Sequence, residues 1–255
     1  MIERLNLPQE ERTYLQELTN RLRTTLGSSL VAVYLVGSAA RNAYIVGQSD
    51  LDVQAVISDT LPPTTYTSLA SVISHSSLPC PASKLEFVLY TSAEAQAVRN
   101  RAPKYEINFN TGRTMPNGDY LSLDSAKDDP FWFILDIAAS WEVAVPLLGP
   151  PITQTFTQPP RELVLKALKE SLEWHEGEER GPNGLANAAR AWRWVKEGLW
   201  GSKKEGVEWA KKQGTGWSVL DAEKEQRGGG KLDEEEVGRF LLFVREEVEA
   251  AMQRE

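Results

Sequence analysis

Two aspartates, Asp50 and Asp52, stand two residues apart at the start of an apolar segment that ends at Ile57. Side chains alternate across a strand, so both carboxylates point to one side while Leu51 and Val53 point into the core. Two carboxylates one strand step apart offer the oxygen ligands that Mg²⁺ prefers in proteins. The pair therefore predicts a divalent-metal site.

The dipeptide Gly37-Ser38 follows a predicted buried strand over Val31–Val36. We expect it to turn the chain into a short helix, whose first N–H groups and serine hydroxyl would form a seat for phosphate. Metal and phosphate sites in adjacent stretches of the chain together suggest nucleotidyl transfer.

A third acid, Glu86, lies in the alternating segment Lys84–Tyr90, which predicts another strand. Alternation places Leu85, Phe87 and Leu89 on one side of this strand and Glu86 on the other. Two interpretations of Glu86 stay open from the residues alone. It is either a rim glutamate that faces solvent or a third carboxylate directed at the metal site.

The chain has 255 residues and a formal net charge of −8, without a sustained stripe of Lys and Arg. Because binding to nucleic acid depends on clustered cations, we expect no nucleic-acid partner. The acidic charge fits either attraction of a cationic small substrate or solubility alone.

A single cysteine, Cys80, excludes an intrachain disulfide, and two histidines make a structural zinc site unexpected. No apolar run approaches the length of a membrane span, and the start lacks the basic-then-apolar pattern of a signal peptide. We therefore expect a cytoplasmic protein without a membrane partner, and nothing in the sequence demands more than a monomer.

Hydrophobic periodicity predicts a sheet-containing domain over residues 1–150 and an all-helical domain over residues 151–255. In the first domain we expect helices over Gln9–Leu26, Ser38–Tyr44, Tyr66–Ser74 and Pro130–Val145, a fourth strand over Tyr105–Asn110, a loop over Met115–Ser122 and a turn over Leu147–Pro151. In the second we expect helices over Arg161–Glu176, Asn183–Leu199, Lys203–Gln213 and Glu234–Gln253.

The series Gly37-Ser38, Ser49-Asp50-Leu51-Asp52 and Glu86 resembles the nucleotidyltransferase superfamily. Within it, the chain resembles the aminoglycoside adenylyltransferases that modify streptomycin and spectinomycin. The narrower resemblance depends on Leu148-Gly149-Pro150, Arg190-Ala191-Trp192, Gly198, Lys203 and Glu208-Trp209-Ala210, which follow that family's order and spacing. It implies an α+β fold, with a polymerase-β-like mixed-sheet domain before the helical one.

The resemblance also implies a reaction, in which AMP passes from ATP to a hydroxyl of a cationic small molecule in a cleft between the domains, with Mg²⁺. The implied roles are Asp50 and Asp52 as metal ligands, Gly37, Ser38, Ser49, Arg190 and Lys203 as phosphate contacts, Glu86 as general base, and Glu106, Trp174 and Glu178 as acceptor contacts. The chain departs from the family at Thr111-Gly112-Arg113, where an aromatic contact is missing.

Alternatives to this interpretation stay open. The same chemistry fits transfer to a protein side-chain hydroxyl or an RNA end, and the fold also fits a nucleotide-binding homologue without catalysis. The acidic segment Glu173–Glu179 fits a solvated helix end as well as a cationic-substrate site. We expect His175 at the surface and the tryptophans from Trp192 to Trp209 in the helical core.

Overall fold

The structure is a computed structural model that describes residues 2–178, 180–214, 216–221 and 232–254, apart from the side chains of Arg4 and Glu178. The chain divides into two compact units, Met1–Pro159 and Pro160–Glu255. The division falls between two prolines, nine residues after the domain boundary predicted at residue 150. The functional assignment of the two units stays a prediction.

The first unit contains a six-stranded sheet in the order β5-β4-β3-β2-β1-β6. The strands are β1 (Leu30–Leu35), β2 (Leu51–Ile57), β3 (Lys84–Thr91), β4 (Ile107–Gly112), β5 (Tyr120–Ser122) and β6 (Val145–Leu148). β2 and β3 run parallel, and every other neighbouring pair runs antiparallel. The predicted mixed sheet is confirmed.

Six α-helices accompany the sheet in the described part of the first unit. They are α1 (Gln9–Leu26), α2 (Gly37–Ala40), α3 (Pro63–Ile73), α4 (Ser92–Ala97), α5 (Pro130–Ser140) and α6 (Ile152–Thr155). α3 lies between β2 and β3 in the chain, which fits the crossover that a parallel pair needs. The apolar face of α1, with Leu15, Leu18 and Leu22, is fully buried.

The two faces of the sheet have separate cores. On one face, Leu51, Val53 and Phe87 belong to the cluster that includes the buried residues of α1 and α3. On the other face, Val56 and Tyr90 belong to a second cluster that includes residues of α5. Alternation places Asp52 and Glu86 on this second face, and both remain partly exposed.

The described residues of the second unit form helices and no strand. The helices are α7 (Arg161–Glu178), α8 (Pro182–Glu197), α9 (Lys203–Lys212) and α10 (Glu234–Met252), and residues 218–221 are also helical. Trp192 and Trp194 are buried as expected, and Trp192 packs edge-to-face against Phe243 with ring centroids 5.0 Å apart. In the ranges that the structure describes, no helix combines the length and apolar character needed to cross a membrane.

Several predicted boundaries in the first unit were wrong. The helix expected over Ser38–Tyr44 ends at Ala40. Tyr120–Ser122, expected in a loop, pairs with β4, and Val145–Leu148, expected at a helix end and a turn, pairs with β1. Both strands are short and lie at the sheet edges, so their hydrogen-bonded neighbours determine them more than local sequence does.

Candidate active site

Asp52 and Glu86 lie side by side as register partners on the parallel strands β2 and β3. The next pair is Leu51 with Leu85, and the same register places Asp50 beside Lys84, just before these leucines. The structure therefore brings Asp50, Asp52 and Glu86 together on one face of the sheet. We call these three carboxylates the acid patch.

The environment of Asp52 disfavours its charged form. Burial raises the pKa of the Asp52 carboxyl well above its usual range, and the charges of Glu86, Asp136 and Asp50 raise that pKa further. Asp136 is an exposed residue of α5 that the sequence analysis did not single out. Because these acids disfavour each other's charged forms, a cation bound among them would stabilise those forms.

Lys84 supplies one cation from within the chain. Its Nζ lies 2.5 Å from Glu86 Oε1 and 3.8 Å from Asp50 Oδ2. Burial alone would lower the pKa of the Lys84 ammonium. The nearby carboxylates of Glu86, Asp50 and Asp52 outweigh burial and raise this pKa above the ordinary value. Lys84 was predicted only as the start of a strand, although its spacing from Glu86 puts both side chains on one face.

The turn after β1 brings the backbone against Asp52. The N–H of Val36 donates to the carbonyl oxygen of Asp52 at 2.9 Å. Gly37 has a φ of +63°, and a Cβ at this position would lie 2.6 Å from Asp52 Cγ, so only glycine fits here. Ser38 follows in the single turn of α2, where it is partly exposed. The predicted phosphate seat therefore lies directly beside the acid patch.

The loop before β2 positions Ser49. Its Oγ accepts a hydrogen bond from the N–H of Ile45 at 3.0 Å, and its carbonyl oxygen accepts one from the N–H of Ser83 at 3.2 Å. Tyr44 in the same loop donates its hydroxyl to Oε1 of the buried Glu11 at 2.9 Å. These contacts fix Ser49 immediately before Asp50.

Arg190 and Lys203 lie on the helices α8 and α9 of the second unit. The guanidinium of Arg190 donates from Nε to the carbonyl oxygen of Gly201 at 3.0 Å and lies over the Trp200 ring, 5.8 Å from its centroid. The ammonium of Lys203 donates to Oδ1 of Asn183. Both cations are thus oriented by neighbours within this unit, and their predicted contact with phosphate stays a prediction.

Glu106 lies away from the acid patch. Its carboxylate accepts hydrogen bonds from the hydroxyls of Tyr66 at 2.5 Å and Thr60 at 3.2 Å. Glu86 pairs with Asn110, which comes four residues after Glu106, so the positions of Glu86 and Glu106 lie about 13 Å apart along the strands. The structure does not bring Glu106 together with the three acids.

The remaining predicted acceptor contacts belong to α7. Trp174 is partly buried there, with its ring centroid 5.0 Å from that of His175. Glu178 is the last residue of α7, and its side chain lies outside the described part of the chain. Glu173 and Glu176 both form ion pairs with Arg245, at 3.8 Å and 3.2 Å, so they lie within an ion-pair network of the helical unit.

The expectation that His175 lies at the surface was wrong, because its side chain is completely buried. Its Nε2 lies 3.2 Å from Nδ2 of Asn187, so this side of α7 faces α8. The periodicity of α7 alone does not reveal which polar residue a neighbouring helix covers.

No protein-family model and no curated protein matches this chain. Among solved structures, it is similar to the spectinomycin adenyltransferase AAD(9) of Enterococcus faecialis, which was crystallised with ATP and spectinomycin. The TM-score is 0.70 at 15% sequence identity, over 93% of this chain and 98% of that chain. The two proteins share a fold. The predicted resemblance is confirmed at this level.

Substitution of Gly37 tests the close approach to Asp52. Gly37→Ala and Gly47→Ala both force alanine into a positive φ, which costs about 1 kcal/mol of unfolding free energy. A Cβ at Gly47 meets open space, whereas one at Gly37 overlaps Asp52, so Gly37→Ala should lose at least about 1 kcal/mol more. Urea denaturation, followed by tryptophan fluorescence, measures the unfolding free energy of both variants. Equal losses would contradict the described contact.

Substitution of Asp52 tests the electrostatics of the acid patch. Because the pKa of Asp52 is raised by folding, the protein loses stability as the pH rises above the ordinary aspartate value of about 4. Asp52→Asn cannot ionise, so in the presence of a chelator its unfolding free energy should exceed that of the wild type at about pH 7 and equal it at about pH 3. The same denaturation experiment measures this.

The matched control for Asp52→Asn is Asp59→Asn, since Asp59 is exposed just after β2. This control should leave the unfolding free energy unchanged at both pH values. A lower stability of Asp52→Asn at neutral pH would show that the carboxylate is not held in an unfavourable environment.

Proposed function

We propose that this protein is a nucleotidyltransferase that moves AMP from ATP to a hydroxyl of an aminoglycoside-like small molecule of the streptomycin or spectinomycin type. The observation that supports this most is the acid patch beside the Gly37-Ser38 turn, in a fold shared with an adenyltransferase crystallised with ATP and spectinomycin. The reaction releases pyrophosphate.

The donor atoms of the patch fit Mg²⁺, which is a hard cation that takes carboxylate oxygens and keeps several other oxygen ligands. Asp50 and Asp52 are the proposed protein ligands. Among the described residues, no group of three or more His, Cys, Asp or Glu is arranged to hold a metal ion. Two carboxylates therefore suit an ion that also takes oxygens from nucleotide phosphates. When bound, Mg²⁺ would neutralise charge on those phosphates.

Glu86 is the proposed general base. The acceptor hydroxyl attacks the α-phosphorus, the bond to the bridging oxygen of pyrophosphate breaks, and the hydroxyl proton passes to the Glu86 carboxylate. A sugar hydroxyl is a poor nucleophile, and a positioned base typically contributes 10²–10⁴-fold. The partial exposure of Glu86 leaves its carboxylate accessible to an acceptor.

Phosphate contacts are assigned to both units in this proposal. Gly37, Ser38 and Ser49 offer N–H groups and hydroxyls beside the acid patch. Arg190 and Lys203 are assigned to phosphate oxygens from the helical unit, where a guanidinium suits bidentate contact and an ammonium acts as a point charge. Fixed cations stabilise the charge that develops on the departing pyrophosphate.

The residues that contact the acceptor are proposed from the chemical types of their side chains. Trp174 and Glu178 are the proposed contacts, since an aromatic ring and a carboxylate suit a cationic, hydroxylated molecule. Glu106 was also predicted as an acceptor contact, but its hydrogen bonds to Tyr66 and Thr60 and its distance along β4 favour a structural role.

Glu86→Gln tests the proposed base. We expect kcat to fall by about 10²–10⁴-fold, because the amide cannot accept the proton, while the KM for ATP changes little. Pyrophosphate release with Mg²⁺, ATP and a panel including spectinomycin and streptomycin measures this. Glu142→Gln is the control, since Glu142 is exposed in the α5–β6 connection.

Two outcomes would revise the proposal. Full activity of Glu86→Gln would remove Glu86 from the chemistry. No turnover with any small molecule, together with AMP found on a protein, would replace the acceptor class and leave the nucleotidyl transfer in place.

A further inference from the structure

We propose that Lys84 is the cation at the Glu86 side of the acid patch, so that the patch binds a single divalent ion. This inference rests on the proposed function. Lys84 acts as a positioning residue in this account, since it contacts Glu86 and Asp50 and is not assigned to the reacting atoms.

The position of the ammonium supports this assignment. Nζ of Lys84 lies 2.5 Å from Glu86 on β3 and 3.8 Å from Asp50, which immediately precedes β2, so it lies between these two carboxylates. A divalent ion that bound Glu86 together with the aspartates would need the carboxylate oxygens that Lys84 already contacts. An ammonium has three N–H donors, which allows it to satisfy more than one carboxylate at once.

The same contacts leave little room for a second ion. Mg²⁺ requires near-octahedral oxygen ligands at about 2.0–2.1 Å. An oxygen of Glu86 that already accepts from Lys84 is poorly available to such an ion, and the ammonium repels it. The absence of any suitable group of three ligands among the described residues agrees with this, because Asp50 and Asp52 remain as a pair.

The backbone of β4 approaches Lys84 closely at Gly112. Gly112 pairs with Lys84 across β3 and β4, and a Cβ on Gly112 would lie 2.7 Å from Lys84 Cβ. This is the segment Thr111–Arg113, in which the chain departs from the family it resembles. The missing side chain at Gly112 allows β4 to approach Lys84, whose own side chain remains 27% exposed beside the acids.

Charge balance favours a single ion. The three carboxylates of the acid patch have three negative charges when ionised, and Lys84 with one divalent ion supplies three positive charges. Two divalent ions would give an excess of positive charge beside the Lys84 ammonium, which already lies against Glu86 and Asp50. The nucleotide then brings its phosphates to a patch that is already neutral.

The number of bound ions tests the inference directly. Mn²⁺ serves as the probe, and its free concentration is measured by electron paramagnetic resonance during titration of the protein saturated with a non-hydrolysable ATP analogue. We expect one tightly bound Mn²⁺ in the wild type and in Lys84→Arg. We expect two in Lys84→Met and in Lys84→Gln, because Glu86 then becomes available as a ligand.

Lys104→Met is the matched control, because Lys104 is exposed in the connection between α4 and β4 and should leave the count at one. Circular dichroism shows whether each variant is folded, and the two neutral variants provide independent measurements. Two ions in the wild type, or one ion in a folded neutral variant, would overturn the role of Lys84. No Mn²⁺ bound by wild type or variant with the nucleotide would overturn the proposed function instead.

Discussion

The repulsion between Asp52 and Glu86 is the constraint on which the candidate site depends. Like charges placed directly opposite on neighbouring strands are unfavourable, and burial makes the charge of Asp52 more costly still. Such an arrangement reduces the stability of the folded chain unless cations compensate it. Lys84 compensates part of it, and a divalent ion with a nucleotide would compensate the rest. Binding of a cation would therefore relieve the repulsion and raise the free energy of unfolding.

The sheet maintains this unfavourable arrangement through its opposite face. Leu51, Val53, Leu85 and Phe87 alternate with the acids and are buried in the core with α1 and α3. A shift of one residue in register would turn the leucines to the face that carries the acids and the carboxylates into that core. The hydrophobic free energy of these residues thus fixes the positions of the charges, and the tight turn at Gly37 adds a close backbone contact beside Asp52.

Part of this site could be predicted from the sequence because alternation is a local property. Asp50 and Asp52 on one face, and Glu86 opposite its apolar neighbours, follow from strand periodicity alone. That β2 and β3 lie adjacent and parallel does not, because pairing depends on contacts distant in sequence. The same reason explains the missed strands β5 and β6, the unexpected burial of His175 and the electrostatic influence of Asp136 from α5. The ion pair between Lys84 and Asp50 likewise requires the pairing, although the shared face of Lys84 and Glu86 was visible in the sequence.

The central claim is that the Asp50–Asp52 pair binds a nucleotide through a divalent ion. Isothermal titration calorimetry with a non-hydrolysable ATP analogue tests it most directly, with Mg²⁺ and with a chelator, for the wild type and for Asp50→Ala. We expect the wild type to bind the analogue tightly only with Mg²⁺, and Asp50→Ala to lose this dependence together with most of the affinity. Equal binding with and without Mg²⁺, unchanged by Asp50→Ala, would contradict it.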